Sequence, residues 1–328
     1  MGLADPLLEP GMSSQVDFLM GGKLWILGIL AAFGGLLTAS PVAYAHTGIS
    51  KGQNLWTAWN TNPLPTLLLL IAANWYLTGL ARWERPSHPV NFWQKVSFFA
   101  GLFALFLALQ SPIDALSQHM ASFHHLQHIL LRMFGPVLIL LGAPLTPMLR
   151  GLPRWALRGV VRPVVRNPRA RRAYEIITNP VFTTVLFLGV LYIWQVPGPH
   201  NAALRNSALH ELMHFTMLFS GLLFFWLVID PKPHRSRLHY GLRVLYLGLI
   251  IIPNTLLGAA ITFSGHVVYS GYAQVEQPIN ISLMTDQQIA GAILWVPGDM
   301  MSMVVAGIVM IMWYQRETVN DPLDAASH

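Results

Sequence analysis

Seven apolar stretches recur between Leu64 and Tyr314, each near the ~20 residues that carry an α-helix across the hydrocarbon core of a bilayer. They are Leu64–Leu80, Val96–Gln110, Leu126–Leu149, Val181–Val196, Leu209–Ile229, Val244–Phe263 and Gln288–Tyr314. Hydrocarbon offers no water to unpaired backbone N–H and C=O groups, so such segments close their hydrogen bonds internally as helices. The expected fold class is all-α: a polytopic membrane helical bundle of seven transmembrane helices, preceded by an N-terminal signal or extra helix. The composition, 54% apolar and only 10% charged, agrees, and no further domain boundary is visible because the spans follow one another with short connections.

Basic residues set the orientation, because Lys and Arg are retained on the cytoplasmic side of short loops. If the loop after the first span is inside, then Arg82, Arg85, Lys95, the eight arginines from Arg150 to Arg172, Lys232, Arg235, Arg237, Arg243 and Arg316 are all inside. Those are sixteen of the twenty basic residues, and only Lys51, Arg132 and Arg205 oppose them, with Lys23 in the N-terminal segment. The net charge of +6 is thus topological, and the expected partners of the basic loops are anionic membrane lipids, with no nucleic acid.

At the N-terminus, Met20-Gly21-Gly22-Lys23 precedes an apolar run from Leu24 to Leu37 and then Pro41-Val42-Ala43-Tyr44-Ala45. From Met20 onward this has the form of a secretory signal peptide with an Ala-x-Ala cleavage site, whereas Asp5, Glu9 and Asp17 suit such a signal poorly. Translation is therefore expected to start at Met20. Cleavage after Ala45 would leave His46 as the mature N-terminus, where the α-amino group and imidazole could chelate a metal; the alternative is an uncleaved first helix. The expected organisation is an N-terminal segment 1–45, an outer segment 46–62, a membrane domain 63–316 and a cytoplasmic tail 317–328. The basic inner loop Arg150–Asn179 reads as a surface helix and linker, and the Gly-, Tyr- and Ser-rich outer loop Ser264–Gln287 as a cap over the outer mouth.

Nine of the thirteen histidines then fall on the outer side: His46, His119, His124, His125, His128, His200, His210, His214 and His266. The chain has no cysteine, so disulfides and thiolate ligands are excluded and any soft metal must be held by His and Met. In the first cluster, His119-Met120-Ala121-Ser122-Phe123-His124-His125-Leu126-Gln127-His128, Ser122 is positioned to cap a helix, and spacings of three and four place imidazoles on neighbouring faces one turn apart. That is half of a histidine metal site.

The second cluster, His210-Glu211-Leu212-Met213-His214, has the H-E-x-x-H form in which two His bind zinc and the Glu, here Glu211, activates water. Proteases that cut within the bilayer need a third ligand from an Asn-Pro-Asp-Gly or Leu-Asp-Gly segment, and Val296-Pro297-Gly298-Asp299 has the wrong order. The histidine pair reads as ligands, and Glu211 is catalytic only in the alternative of a zinc hydrolase. His266 is a further candidate ligand, with Met120, Met300 and Met303 as possible thioether donors. His200 reads as a loop residue, and the inner-side His88, His234, His239 and His328 read as solvated.

Arg132, Glu211 and Asp299 lie inside apolar spans, where a charge is costly and usually paired or functional. An Arg132–Asp299 or Arg132–Glu211 ion pair would meet that cost by structure alone, with Asp114 a further structural carboxylate; the equal alternative is a role in metal transfer. Pro297-Gly298 is expected to interrupt the last helix just before Asp299.

The Ser111-Pro112-Ile113-Asp114 turn, the two histidine clusters, Pro253-Asn254-Thr255 and the run from Asp286-Gln287-Gln288-Ile289-Ala290-Gly291 to Pro297-Gly298-Asp299-Met300 together resemble the CtaG-type cytochrome c oxidase assembly proteins. The resemblance covers Pro63 to Tyr314, and the N-terminal segment departs from it. It implies a seven-helix protein of the bacterial inner membrane, needed to mature haem-copper oxidases by handling copper on the outer face. A thiol-free imidazole site suits copper independently, since copper(II) outcompetes zinc for such sites on intrinsic affinity. The expected function is non-enzymatic: the third, fifth and seventh helices and the loop after the sixth hold copper and pass it to an oxidase subunit or another copper chaperone. The alternatives are a membrane-embedded zinc hydrolase, a haem-binding membrane protein with facing histidines, and a purely structural interaction protein.

Overall fold

The computed structural model describes residues 57–60, 62–83, 89–231 and 238–319, and these form helices joined by short connections. The helices are α1 (Pro63–Ala81), α2 (Phe92–Gln110), α3 (Pro112–Ser117), α4 (Ala121–Leu141), α5 (Leu145–Gly151), α6 (Pro168–Ile177), α7 (Pro180–Gln195), α8 (Pro197–Arg205), α9 (Ser207–Ile229), α10 (Tyr240–Thr262) and α11 (Leu283–Val319). Short helical turns between Arg154 and Arg166 lead into α6, and a 3₁₀ turn at Ser270–Gln274 lies between α10 and α11. Four of these helices start by the same local chemistry. Asn62, Ser111, Asn167 and Asn179 each accept a backbone N–H with the side chain, and a proline follows in the first turn, where its missing N–H costs nothing.

Five of the helices, α1, α2, α9, α10 and α11, are individually long and apolar enough to cross a membrane. Two bent pairs bring the number to as many as seven: α4 with α5, bent by 79°, and α6 with α7, bent by 62°. The protein is a multi-pass helical membrane protein, and the seven expected spans correspond to these elements with two differences. The third span breaks at Gly142-Ala143-Pro144, where Ala143 adopts a positive φ of 46°. The fourth, α7, has 16 residues and reaches spanning length only together with α6. The signal or extra helix, His46, His88, His234, His328 and most of the expected tail lie outside the described residues.

The expected interruption at Pro297-Gly298 is overturned, because α11 runs through it without a break. Helix α10 supports that stretch from the side. Asn254 donates its amide to the Leu294 carbonyl at 3.2 Å and to Asp299 Oδ1 at 2.9 Å, and Thr255 donates to Asp299 Oδ2 at 2.5 Å. A Cβ at Gly298 would lie 2.9 Å from the Asn254 amide nitrogen, so the glycine permits the approach that lets the neighbouring helix stabilise the proline site.

The same hydrogen bonds correct the expected ion pairs. Asp299 is held by Asn254 and Thr255, while Arg132 lies with its guanidinium 3.6 Å over the Phe187 ring and donates to the Phe187 carbonyl at 3.3 Å. Arg132 therefore pairs with neither Asp299 nor Glu211, and Glu211 is half-buried. Around Arg132 the helix widens into a π turn at Leu130–Phe134 just before Pro136, a residue that cannot donate into the ladder. The Arg132 carbonyl there approaches Gly221 of α9 so closely that a Cβ would overlap it. The Asp114 carboxylate accepts from Gln127 Nε2 at 2.7 Å and from Asn60 Nδ2 at 2.8 Å.

Two large apolar clusters fill most of the bundle, beside a small one at Tyr174 and Leu223. One runs from Tyr76 and Phe98 through Phe187, Phe224, Phe225 and Trp226 to Val309. The other gathers Ala121, Leu191, Trp194, Met213, Met217, Tyr269, Tyr272, Ala290 and Leu294.

Candidate metal centre

The site begins with the clamp on the first turn of α4. Asp286 of α11 accepts the Ala121 N–H at 2.6 Å, the Ser122 N–H at 3.1 Å and the Ser122 hydroxyl at 2.5 Å. A carboxylate at a helix N-terminus satisfies open donors and complements the helix dipole. The expected cap by Ser122 is thus replaced: Met120 holds the cap position, Ser122 lies inside the helix, and the capping oxygens come from Asp286. On another side of α4, Gln127 donates to the Ala108 carbonyl and to Asp114, both at 2.7 Å. Held from two sides, α4 cannot rotate freely about its axis, and His124, His125 and His128 are all buried.

His124, His128 and His214 each offer a ring nitrogen, and the three nitrogens lie within 4.8 Å of one another. His124 and His128 are one turn apart on α4, with ring centroids 4.4 Å apart, and α9 brings His214 opposite, 6.4 Å and 6.0 Å from them. His210 extends the group, 4.1 Å from His214 and 5.3 Å from His124, with the Gln118 amide 3.3 Å from its Nδ1. His125 Nδ1 donates to the Ala290 carbonyl of α11 at 2.7 Å, which leaves the lone pair on Nε2. His124 Nε2, His125 Nε2 and both nitrogens of His128 are buried without a hydrogen-bond partner. A buried polar atom left unpaired costs about 1–3 kcal/mol. Several in one place, all potential metal donors, fit a bound cation better than an apolar filling.

His200 overturns the loop reading: it is fully buried, on α8, with its ring 4.8 Å from that of His124 and stacked on Tyr269 at 4.2 Å. Burial pushes its imidazole down to about 3, so it is neutral. The loop between α10 and α11 folds down as a cap, carrying Tyr269 and Tyr272 into the interior, and burial raises both phenols above their ordinary value. Tyr272 Oη sits 2.8 Å from His124 Nδ1 and 3.2 Å from His200 Nε2.

Other candidate residues lie elsewhere. His266 is exposed in the loop after α10, beside Ser264, and His119 donates to the Glu276 carbonyl at 2.8 Å. Met300 and Met303 are each 60% exposed on the outside of α11. Met120 is buried at the head of α4, where its carbonyl accepts the His124 N–H at 3.1 Å. Glu211 is outside the converging group. Sequence reasoning passed over His200, Tyr269, Tyr272 and Asp286 as site residues, although the Tyr-rich loop and the Asp286 motif were visible as segments.

Fold and site together define a multi-pass helical membrane protein with imidazoles gathered in a closed interior. Over residues 74–316 the chain matches the family described as cytochrome c oxidase caa3 assembly factor (Caa3_CtaG), and it belongs to that family. It is similar to uncharacterized proteins of Mycobacterium leprae (strain TN), 27% identical over 269 residues, and of Mycobacterium bovis (strain ATCC BAA-935 / AF2122/97), 28% identical over 273 residues. Each alignment covers 80% of this chain, which spans about 40% of the length of these relatives. No solved structure matches the chain.

Proposed function

We propose that this assembly factor takes up copper as its cargo at the His124/His128/His214 group, on the outer face of a bacterial inner membrane, and delivers it to an oxidase subunit or to another copper chaperone. The observation that carries the reading is the convergence of three buried imidazole nitrogens within 4.8 Å in a chain without cysteine. Imidazole ligands suit copper, and a donor set flanked by further histidines, His125 and His210, gives a departing ion alternative ligands during exchange. Basic residues concentrated in the opposite loops support the outward orientation.

The rival readings are less well supported. A zinc hydrolase would need Glu211 at the donor group, whereas that side chain is half-buried and outside it. Haem would need a planar slot between facing imidazoles, yet the rings pack against one another at 4.1 to 4.4 Å. The test is the copper content of the oxidase in cells carrying His124→Ala/His128→Ala or His210→Ala/His214→Ala. Copper-deficient oxidase alongside normal levels of the variant protein is expected; oxidase with full copper content would overturn the assignment.

A further inference from the structure

The hydrogen bonds behind the donor group constrain more than its position. His200 Nδ1 lies 3.1 Å from the Trp194 carbonyl at the end of α7, and a carbonyl only accepts, so Nδ1 carries the proton and Nε2 the lone pair. Nε2 then accepts the Tyr272 hydroxyl at 3.2 Å, which commits the single hydrogen of that hydroxyl. With its own hydrogen used, Tyr272 Oη accepts from His124 Nδ1 at 2.8 Å. That leaves the His124 lone pair on Nε2, a buried nitrogen without a partner.

We infer that the Trp194 carbonyl, His200 and Tyr272 form a hydrogen-bond relay that sets the tautomer of His124 and so presents its Nε2 lone pair to a copper ion. The inference rests on the proposed function for the identity of the cation, but not for the tautomer itself. His200 and Tyr272 are positioning residues acting through His124. The relay joins four separate elements, α7, α8, the 3₁₀ turn of the outer loop and α4, so a ligand on one helix is oriented by the loop that covers it. Partners of this kind behind a metal-binding imidazole typically change affinity 10–100-fold when removed.

The test uses the full chain in detergent, with nitrogen-15-labelled histidine, and needs no metal for its first readout. NMR of the metal-free protein, with His124→Ala to assign the signals, is expected to show His124 protonated at Nδ1. Tyr272→Phe and His200→Leu are expected to abolish that preference and to weaken copper(I) binding, competed against a chromogenic chelator, by about 10–100-fold. His200→Gln is expected to stay near wild type, because its amide nitrogen can donate to Trp194 and its amide oxygen can accept from Tyr272. A role limited to ring packing would affect Gln and Leu alike. Wild-type His124 protonated at Nε2, or an unchanged tautomer in both Tyr272→Phe and His200→Leu, would overturn the relay. If the tautomers behave as expected but wild type takes up no copper(I), the relay stands and the proposed function falls.

Discussion

In the proposed orientation, the outer and inner halves of the bundle are built from the same helices and filled on opposite principles. Helix α9 enters with His210 and His214 and then runs from Leu218 to Ile229 almost wholly apolar; α4 carries His124, His125 and His128 in its first turns and Leu131, Met133 and Val137 further in. Both halves are buried, so burial alone does not distinguish them. The inner half saturates its contacts, with Phe187 stacked on Phe224 at 4.5 Å and Phe225 edge-on to both. The outer half leaves ring nitrogens open. Arg132 stands at the boundary, four residues beyond His128 and stacked on Phe187. The difference suggests that stability resides in the inner half and ligand binding in the outer one.

That division can be broken most severely with His124→Ala/His128→Ala, which is expected to eliminate copper retention after desalting while leaving the thermal transition nearly in place. A variant that fails to fold would show that the imidazoles are structural. Phe224→Ala is expected to do the converse, costing about 3–5 kcal/mol in a detergent-unfolding titration with copper per folded chain unchanged. Asp286→Asn is expected to affect both halves, because the clamp on α4 loses its charge. A loss of about 1–3 kcal/mol should accompany weaker copper binding, and unchanged affinity would show that the clamp does not orient the ligands. Met300→Leu/Met303→Leu is expected to have the smallest effect, within about 0.5 kcal/mol and with wild-type copper binding, since both side chains point away from the bundle interior.

Much of the fold was legible because hydrocarbon imposes a simple rule, and the apolar runs from Leu64 to Tyr314 correspond to the helices within a few residues at most ends. What failed were features set by a neighbouring helix. Pro297 resembles a break in isolation, and it is spared one by Asn254 of α10. Arg132 in a lone apolar span calls for a carboxylate, but an aromatic face and a carbonyl serve it. Spacing along one helix exposed His124 and His128, and the pair at His210 and His214 was equally plain. His200 is a single histidine after Pro197-Gly198-Pro199, and no local pattern tells that its turn folds inward. Met300 and Met303 were misplaced for a related reason: on a helix apolar all round, spacing does not identify the lipid-facing side.

The central claim is tested most directly by X-ray absorption at the copper edge on the purified full-length protein loaded with copper(I), beside His214→Ala prepared in the same way. The account expects a nitrogen shell with imidazole scattering in the wild type and loss of that shell in the variant. Copper that washes off the wild type, or an identical spectrum from both proteins, would contradict it.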